Sequence, residues 1–172
     1  MFELVRVFVE IALLRKGPQH LPSSVLLLAI TAAVYCALTV AFVRLIPEAG
    51  QPVALRTVIE LALGLGWLWA LLALFGRRAR FLQTVTAMYG TSALLTPLVL
   101  GPLAIAAQVG KDQPIILPLI FSMFAVFVWY VVITANILKA ALEVRMLAAV
   151  ALTLLYMGCE YLISIGLLTV FK

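Results

Sequence analysis

Five long apolar runs, separated by short connections that alternate between arginine-rich and arginine-poor, constrain this chain more than any other feature. Each run has about 20 residues, the length needed to cross roughly 30 Å of hydrocarbon. Apolar residues make up 66% of the chain and charged residues 11%, a balance that a water-soluble fold of 172 residues could not hide in its interior. The sequence therefore predicts a single all-α integral membrane domain over residues 1–172, a polytopic helical bundle without a soluble catalytic domain.

Turn and cap residues set the bounds of the predicted spans. Ser24 precedes the first apolar run, and serine is a good helix N-cap. Gly101-Pro102 is expected to end the third span. A kink at Pro97 could also open a re-entrant segment, because residues 103–113 are partly apolar. The five predicted transmembrane helices are residues 24–46, 53–75, 81–100, 114–138 and 146–171.

The first 16 residues form a separate predicted helix. Its apolar stretch is too short to span, and Glu3, Arg6 and Glu10 interrupt it at spacings that place them on one helical stripe, with Arg6 able to pair with both acids. This pattern suits an N-terminal amphipathic interfacial helix lying in the headgroup region. A buried helix that rests on its neighbours fits the pattern equally well.

Lysines and arginines predict the orientation, because cytoplasmic loops keep positive charge. Twelve of them divide between the two ends of the predicted spans, eight on one side (Arg6, Arg15, Lys16, Arg77, Arg78, Arg80, Lys139, Arg145) and four on the other (Arg44, Arg56, Lys111, Lys172). We expect a bacterial cytoplasmic (inner) membrane protein with a cytoplasmic N-terminus and an outside C-terminus. Five of the cations are expected to contact anionic lipid, namely Arg15, Lys16, Arg77, Arg78 and Arg80. Their spread over three connections argues against nucleic acid as a partner.

Two glutamates fall within predicted spans, where charge is costly and tends to be functional. Glu60 in span two and Glu160 in span five both lie in the outer half or near the middle, so they can meet. Arg56, one turn from Glu60, and Arg44, near the outer end of span one, are placed to pair with them. The cluster is either a proton or cation site, with one carboxyl kept protonated by burial and by its neighbour, or a structural ion pair between helices. The scarcity of other polar residues in span two favours the structural interpretation.

Span three is the most polar of the five. Small side chains recur along it at helical spacing, which predicts a face for close helix packing made of Thr86, Gly90, Ala93 and Pro97. Gly64-Leu65-Gly66 in span two is interpreted in the same way, because it lacks the strand and the third glycine of a dinucleotide fingerprint.

No constellation of catalytic residues is evident in the sequence. There is no nucleophile with a base, no phosphate loop and no metal-ligand spacing around Cys36, Cys159 or the lone His20. The sequence predicts no enzyme, no catalytic residue, no cofactor and no metal site.

The layout of the chain, together with the run Arg80-Phe81-Leu82-Gln83-Thr84-Val85-Thr86-Ala87-Met88-Tyr89-Gly90-Thr91-Ser92, resembles the bacterial branch of the Yip family. That family is named after eukaryotic proteins that bind Rab-type GTPases and act in membrane traffic. The eukaryotic Asp-Leu-Tyr-Gly-Pro signature is absent, Met88-Tyr89-Gly90 being its nearest echo, and the long cytosolic arm is reduced to residues 1–23. The resemblance implies a small five-span membrane protein, and Rab binding does not carry over.

The sequence favours a non-catalytic membrane scaffold or accessory subunit, Yip-like in layout. Its partners would be membrane lipids and either further copies of itself or a larger membrane complex, bound through spans because the connections are too short for a standard-sized interface. Two alternatives are a small proton- or cation-coupled carrier that uses Glu60 and Glu160, and a lipid-handling protein with a lateral opening beside span three.

Overall fold

Helices form nearly all of the described structure. The computed structural model describes residues 2–46, 53–109 and 113–170, with the side chains of residue 2 and of residues 53–56 and 163–170 left out. Within these ranges there are six α-helices: α1 (Phe2–Ala12), α2 (Val25–Val43), α3 (Val53–Leu74), α4 (Phe81–Gln108), α5 (Ile116–Leu142) and α6 (Met146–Val170). Single 3-10 turns lie at Pro18–His20 and Arg78–Arg80. The predicted all-α class is confirmed.

Four of the described helices are long and apolar enough to cross a membrane, at Val25–Val43, Thr57–Leu74, Arg78–Gln108 and Ile116–Leu142. The first begins where its cap predicts, since the Ser24 hydroxyl accepts a hydrogen bond from the Leu27 backbone N–H at 3.3 Å. Helix α6, the fifth predicted span, has 25 residues, and its described apolar part is Met146–Leu162. The helices therefore indicate a membrane protein, with four candidate spans among the described residues.

Helix α4 is longer than predicted. It continues through Gly101-Pro102 to Gln108, for 28 residues, so the predicted end near Leu100 is wrong. Residues 103–108 are helical and do not form a re-entrant segment, and residues 110–112 lie outside the described residues. Each proline removes one backbone N–H, but a membrane helix tolerates this loss when neighbouring helices hold it in place.

The five long helices close into a ring. Helix α2 packs on α4, α4 on α5, α5 on α6, α6 on α3, and α3 on α2. Helix α4 also contacts α1 and α3, and every residue from Thr84 to Ala93 is buried. The most polar predicted span thus occupies the most enclosed position, where the Thr91 and Thr96 hydroxyls donate to backbone carbonyls of their own helix.

The N-terminal half of α5 shows the opposite pattern. Its side chains expose more than half of their surface at Leu117, Ile120, Phe121 and Phe124. So many large apolar side chains would be unfavourable in contact with water. This surface therefore suits contact with lipid.

Helix α1 packs across α4 and α5 through one side. Phe8, Ile11 and Ala12 are buried, and the Trp129 indole N–H donates to the Ala12 carbonyl at 2.9 Å. A second, apolar edge remains outside, where Val5, Val9 and Leu13 are 51, 40 and 45% exposed.

In the charged stripe of α1, one carboxylate forms ion pairs with two cations. The Glu10 carboxylate lies 3.1 Å from the Arg6 guanidinium and 2.6 Å from the Lys16 ammonium. The hydrogen bond from Lys16, with a smaller contribution from Arg6, lowers the pKa of Glu10 below its ordinary value of 4.5. Helix α1 therefore rests on its neighbours, as one of the two alternatives predicts, and carries an amphipathic outer surface, while its place in the headgroup region stays a prediction.

Candidate functional site

A small polar cavity lies where the long helices meet. The space inside it that a water-sized sphere can reach is about 30 Å³, enough for a water molecule. Among the described residues, all five long helices contribute polar groups to its lining: Tyr35 from α2, Glu60 from α3, Tyr89 and Ser92 from α4, Tyr130 from α5, and Tyr156 and Glu160 from α6. We call this set the acid–tyrosine cavity.

The two carboxyls predicted to meet do line the same cavity. Glu60 and Glu160 interact electrostatically, and both are half-buried. The Tyr156 hydroxyl, one turn before Glu160 on α6, donates a hydrogen bond to the Glu160 carboxyl. Two carboxylates close together in a medium of low dielectric repel, so ionising both costs more than ionising one. The arrangement can therefore hold a proton between acids and phenols.

Tyr89 ties the centre of α4 to the neighbouring helices. Its hydroxyl donates to the Leu61 carbonyl of α3 at 2.8 Å, and its ring lies 5.7 Å from the ring of Tyr35 on α2, centroid to centroid. A buried phenol needs such a partner, because an unpaired hydroxyl away from water is costly. Tyr89 thus links three helices through one side chain.

Gly64 makes room for the tyrosine hydroxyls. A Cβ at this position would lie 2.7 Å from the Tyr89 hydroxyl oxygen and 2.8 Å from that of Tyr156. At Gly66, two residues further on, an added Cβ meets no atom of the described chain within 4 Å. The close contact predicted for the Gly64-Leu65-Gly66 run therefore belongs to Gly64, which lets α4 and α6 bring their phenols against the backbone of α3.

The two arginines of the predicted charged cluster lie differently. Arg44 is exposed and lines a groove between α2 and α3 on the outside of the bundle. In the described chain it does not belong to the cavity lining, because it lies nine residues beyond Tyr35, about 13 Å along α2. Arg56 lies in α3, in the part whose side chains are not described. The structure thus places tyrosines beside Glu160, where the sequence had suggested Arg44, and the predicted pairing of Arg56 with Glu60 lies outside the described side chains.

The predicted small-residue face of α4 is largely enclosed, with Thr86, Gly90 and Ala93 buried and Pro97 half-buried. At Gly90 the neighbour is the short helix α1, since an added Cβ would lie 2.2 Å from a Phe8 ring carbon. The closest packing on this face therefore seats α1 on α4.

The basic end of the bundle is stabilised by ion pairs. It is formed by Arg77, Arg80 and Glu143. Arg77 and Arg80 both bind the Glu143 carboxylate, the Arg80 pair at 2.6 Å. The same Arg80 guanidinium donates to the Ala140 and Ala141 carbonyls at 3.0 and 3.2 Å. It thereby caps the C-terminus of α5, where carbonyls lack intrahelical partners.

The other cations predicted to contact lipid differ in their surroundings. The Arg78 guanidinium lies 5.4 Å from the centroid of the Trp69 ring, within the range of a cation–π contact. Lys16 pairs with Glu10, and Arg15 is exposed. Contact of these residues with anionic lipid stays a prediction.

An association of the tyrosines of the cavity with the two acids was not predicted from the sequence. A signal was nevertheless present: tyrosines in membrane helices concentrate near the two interfaces, where the hydroxyl reaches water. Tyr89, Tyr130 and Tyr156 lie well inside their helices. A phenol at such a depth requires a polar partner, and Glu60 and Glu160 are the nearby candidates at membrane depth.

Comparison with protein-family models, curated proteins and solved structures found no match to this chain.

Proposed function

We propose that this protein is a small proton- or cation-coupled carrier of the membrane that takes up and releases a proton at the acid–tyrosine cavity. One observation carries the proposal: two carboxyls and four phenols, supplied by all five long helices of the described chain, line a single cavity. Intramembrane acids are costly, roughly 2.5 kcal/mol or more at a helix centre, and they commonly mark ion pathways.

The ring gives such a site a means of action. Because each long helix contributes a polar group, a change of charge at Glu60 or Glu160 alters interactions with every helix at once. Protonation removes the repulsion between the two carboxyls, and the helix arrangement that suits the neutral pair differs from the one that suits a charged pair. Proton binding would in this way be linked to opening and closing of the bundle.

The proposed topology has five spans, with the N-terminus in the cytoplasm and the C-terminus outside a bacterial inner membrane. The unequal distribution of lysines and arginines supports this orientation. The 25-residue length of α6 supports a fifth span, since about 20 residues suffice to cross.

The test uses the full chain in proteoliposomes that contain a pH-sensitive dye, with a potassium diffusion potential imposed by valinomycin. We expect proton flux that Glu60→Gln and Glu160→Gln each abolish, because an amide cannot take up the proton. Glu143→Gln is the matched control, since this carboxylate pairs with arginines at the basic end.

Infrared spectra recorded over a pH series give a second readout that needs no substrate. A protonated-carboxyl band should disappear in Glu160→Gln and persist in Glu143→Gln. Equal flux and equal carboxyl bands in the wild type and in both cavity variants would contradict the proposal.

A non-catalytic scaffold or accessory subunit, Yip-like in layout, is the second candidate. It is favoured by the N-terminal half of α5, where Phe121, Phe124 and Phe127 are 65, 64 and 48% exposed and are available to contact another span. The partner would be a second copy or a larger membrane complex. Gentle detergent extraction distinguishes the two functions: a stoichiometric partner that also remains bound to Glu60→Gln and Glu160→Gln supports the scaffold, and an isolated chain with proton flux supports the carrier.

A further inference from the structure

A groove runs between α2 and α3 on the outside of the ring. The space in it that a water-sized sphere can reach is about 410 Å³, far more than in the acid–tyrosine cavity. Its floor and walls are mostly apolar, with Ala37, Val40 and Val58 among them, and Arg44 stands at one end. We call it the α2–α3 groove.

The polarity of the groove changes along its length. Arg44 directly follows the last residue of α2 and is exposed, so its guanidinium lies at the end of a candidate span. Cys36 lies eight residues earlier, about 12 Å along the helix, and the lining between them is apolar apart from the buried Thr57 hydroxyl. A phospholipid has a charged headgroup above apolar acyl chains. The groove has the matching arrangement, with a cation at the membrane edge and an apolar lining below it.

We propose that the α2–α3 groove binds one phospholipid of the surrounding bilayer, with its phosphate on Arg44 and an acyl chain along the groove towards Cys36. Charge complementarity selects this occupant, because a guanidinium forms bidentate hydrogen bonds with a phosphate. The lining below Arg44 is mostly apolar and fits an acyl chain better than a polar ligand.

The bound lipid would lie directly behind the acid–tyrosine cavity. Cys36 is adjacent in sequence to Tyr35, and Thr57 is one turn from Glu60, so the same two helices carry the groove outside and the cavity inside. An acyl chain in the groove fills the seam between α2 and α3. The lipid site does not depend on the carrier function, since it rests on different side chains.

The full chain, purified in mild detergent, is titrated with phosphatidylglycerol and with phosphatidylcholine, and bound lipid is counted by native mass spectrometry. We expect one saturable site in the wild type. Arg44→Gln should weaken it about tenfold, the loss expected for a charge-assisted hydrogen bond. Ala37→Phe, which fills the groove, should abolish it for both lipids.

Two matched controls separate the groove from general lipid contact. Arg145→Gln removes an exposed cation from the connection between α5 and α6, and Ala151→Phe adds a ring at an exposed position of α6. Both should bind like the wild type. Thermal melting of each variant identifies any that fails to fold, and for such a variant the labelling measurement below decides.

Labelling of Cys36 by a maleimide gives that independent readout on the wild-type chain. Added phospholipid should slow modification of Cys36 and leave that of Cys159 on α6 unchanged. The proposal is overturned if Arg44→Gln binds phospholipid as tightly as the wild type, or if bound lipids increase without saturation and Ala37→Phe does not alter the series. It is also overturned if inorganic phosphate alone displaces the bound lipid, or if protection of Cys36 follows self-association of the chain.

Discussion

The acid–tyrosine cavity and the basic end of the bundle both contain carboxylates, but in opposite surroundings. At the basic end, Glu143 faces two guanidinium groups and is about half exposed. In the cavity, Glu160 faces a tyrosine hydroxyl and a second carboxyl. The first acid is paired with two cations at the end of the bundle, whereas the second lies with another acid among phenols in the interior.

The difference also concerns what each region contributes to the fold. The ion pairs of the basic end are screened by solvent, and exposed pairs of this kind contribute up to about 1 kcal/mol. The groups in the cavity connect all five long helices away from water, where an unmade hydrogen bond costs more than a made one gains. Disturbing the packing of the interior should therefore destabilise the fold more than removing a charge at the basic end. Four substitutions or conditions test that order.

The largest effect is expected for Gly64→Ala. The new methyl group would push away the hydroxyls of Tyr89 and Tyr156, breaking the bond to the Leu61 carbonyl. We expect a loss of about 1–3 kcal/mol, as for overpacking of a core, measured by thermal unfolding in detergent. Gly66→Ala is the control and should be neutral or slightly stabilising, because alanine favours helix and nothing lies in its way. Equal melting of the two variants would show that the phenols are not held against α3.

Gly90→Ala should have the second largest effect. Its methyl group collides with the Phe8 ring, but α1 can leave its seat without opening the ring of long helices, so the loss is limited to the docking of α1. Proteolysis near the N-terminus should become faster. Gly101→Ala on the same helix meets only the Phe42 ring at 3.9 Å, an ordinary contact, and should behave like the wild type. Unchanged proteolysis in Gly90→Ala would contradict the packing of α1 on α4.

A smaller effect is expected for Glu143→Gln, which removes the shared partner of Arg77 and Arg80. We expect a loss of about 1 kcal/mol or less, and high salt should shrink the difference from the wild type. Arg80 keeps its bonds to the Ala140 and Ala141 carbonyls, which limits the damage. A loss as large as that of Gly64→Ala would remove the contrast between the basic end and the interior.

The smallest effect is expected from acid. The pKa of Glu10 is lowered in the folded chain, so its ion pairs contribute stability above the ordinary value of 4.5, and this contribution is lost as pH falls through the lowered pKa. Glu10→Gln should therefore differ from the wild type at neutral pH and converge with it in acid. Thermal unfolding of both chains across this pH range measures the difference, and a constant gap would show that the ion pairs play no part.

Much of the helical framework could be predicted from the sequence. Ser24 marks the start of α2, because a cap is a hydrogen bond between residues close in sequence. The apolar runs predict helices, because lipid offers the backbone N–H and C=O groups no hydrogen-bond partner and they must bond to each other. The C-terminal end of α4 was predicted less well, although its start at Phe81 was correct. Gly101-Pro102 is a local signal for an end, and packing of α4 against its neighbours overrides it.

The amino-acid sequence by itself indicated a lipid environment for the helices, the all-α class and the presence of two acids at membrane depth. Only the tertiary structure decided that four tyrosines join them, that Arg44 stays outside, and that Gly64 rather than Gly66 is the close contact. The reason is physical. Hydropathy and helix period act along the chain, whereas the convergence of side chains depends on how each helix is rotated and paired, which is set by packing between residues far apart in sequence.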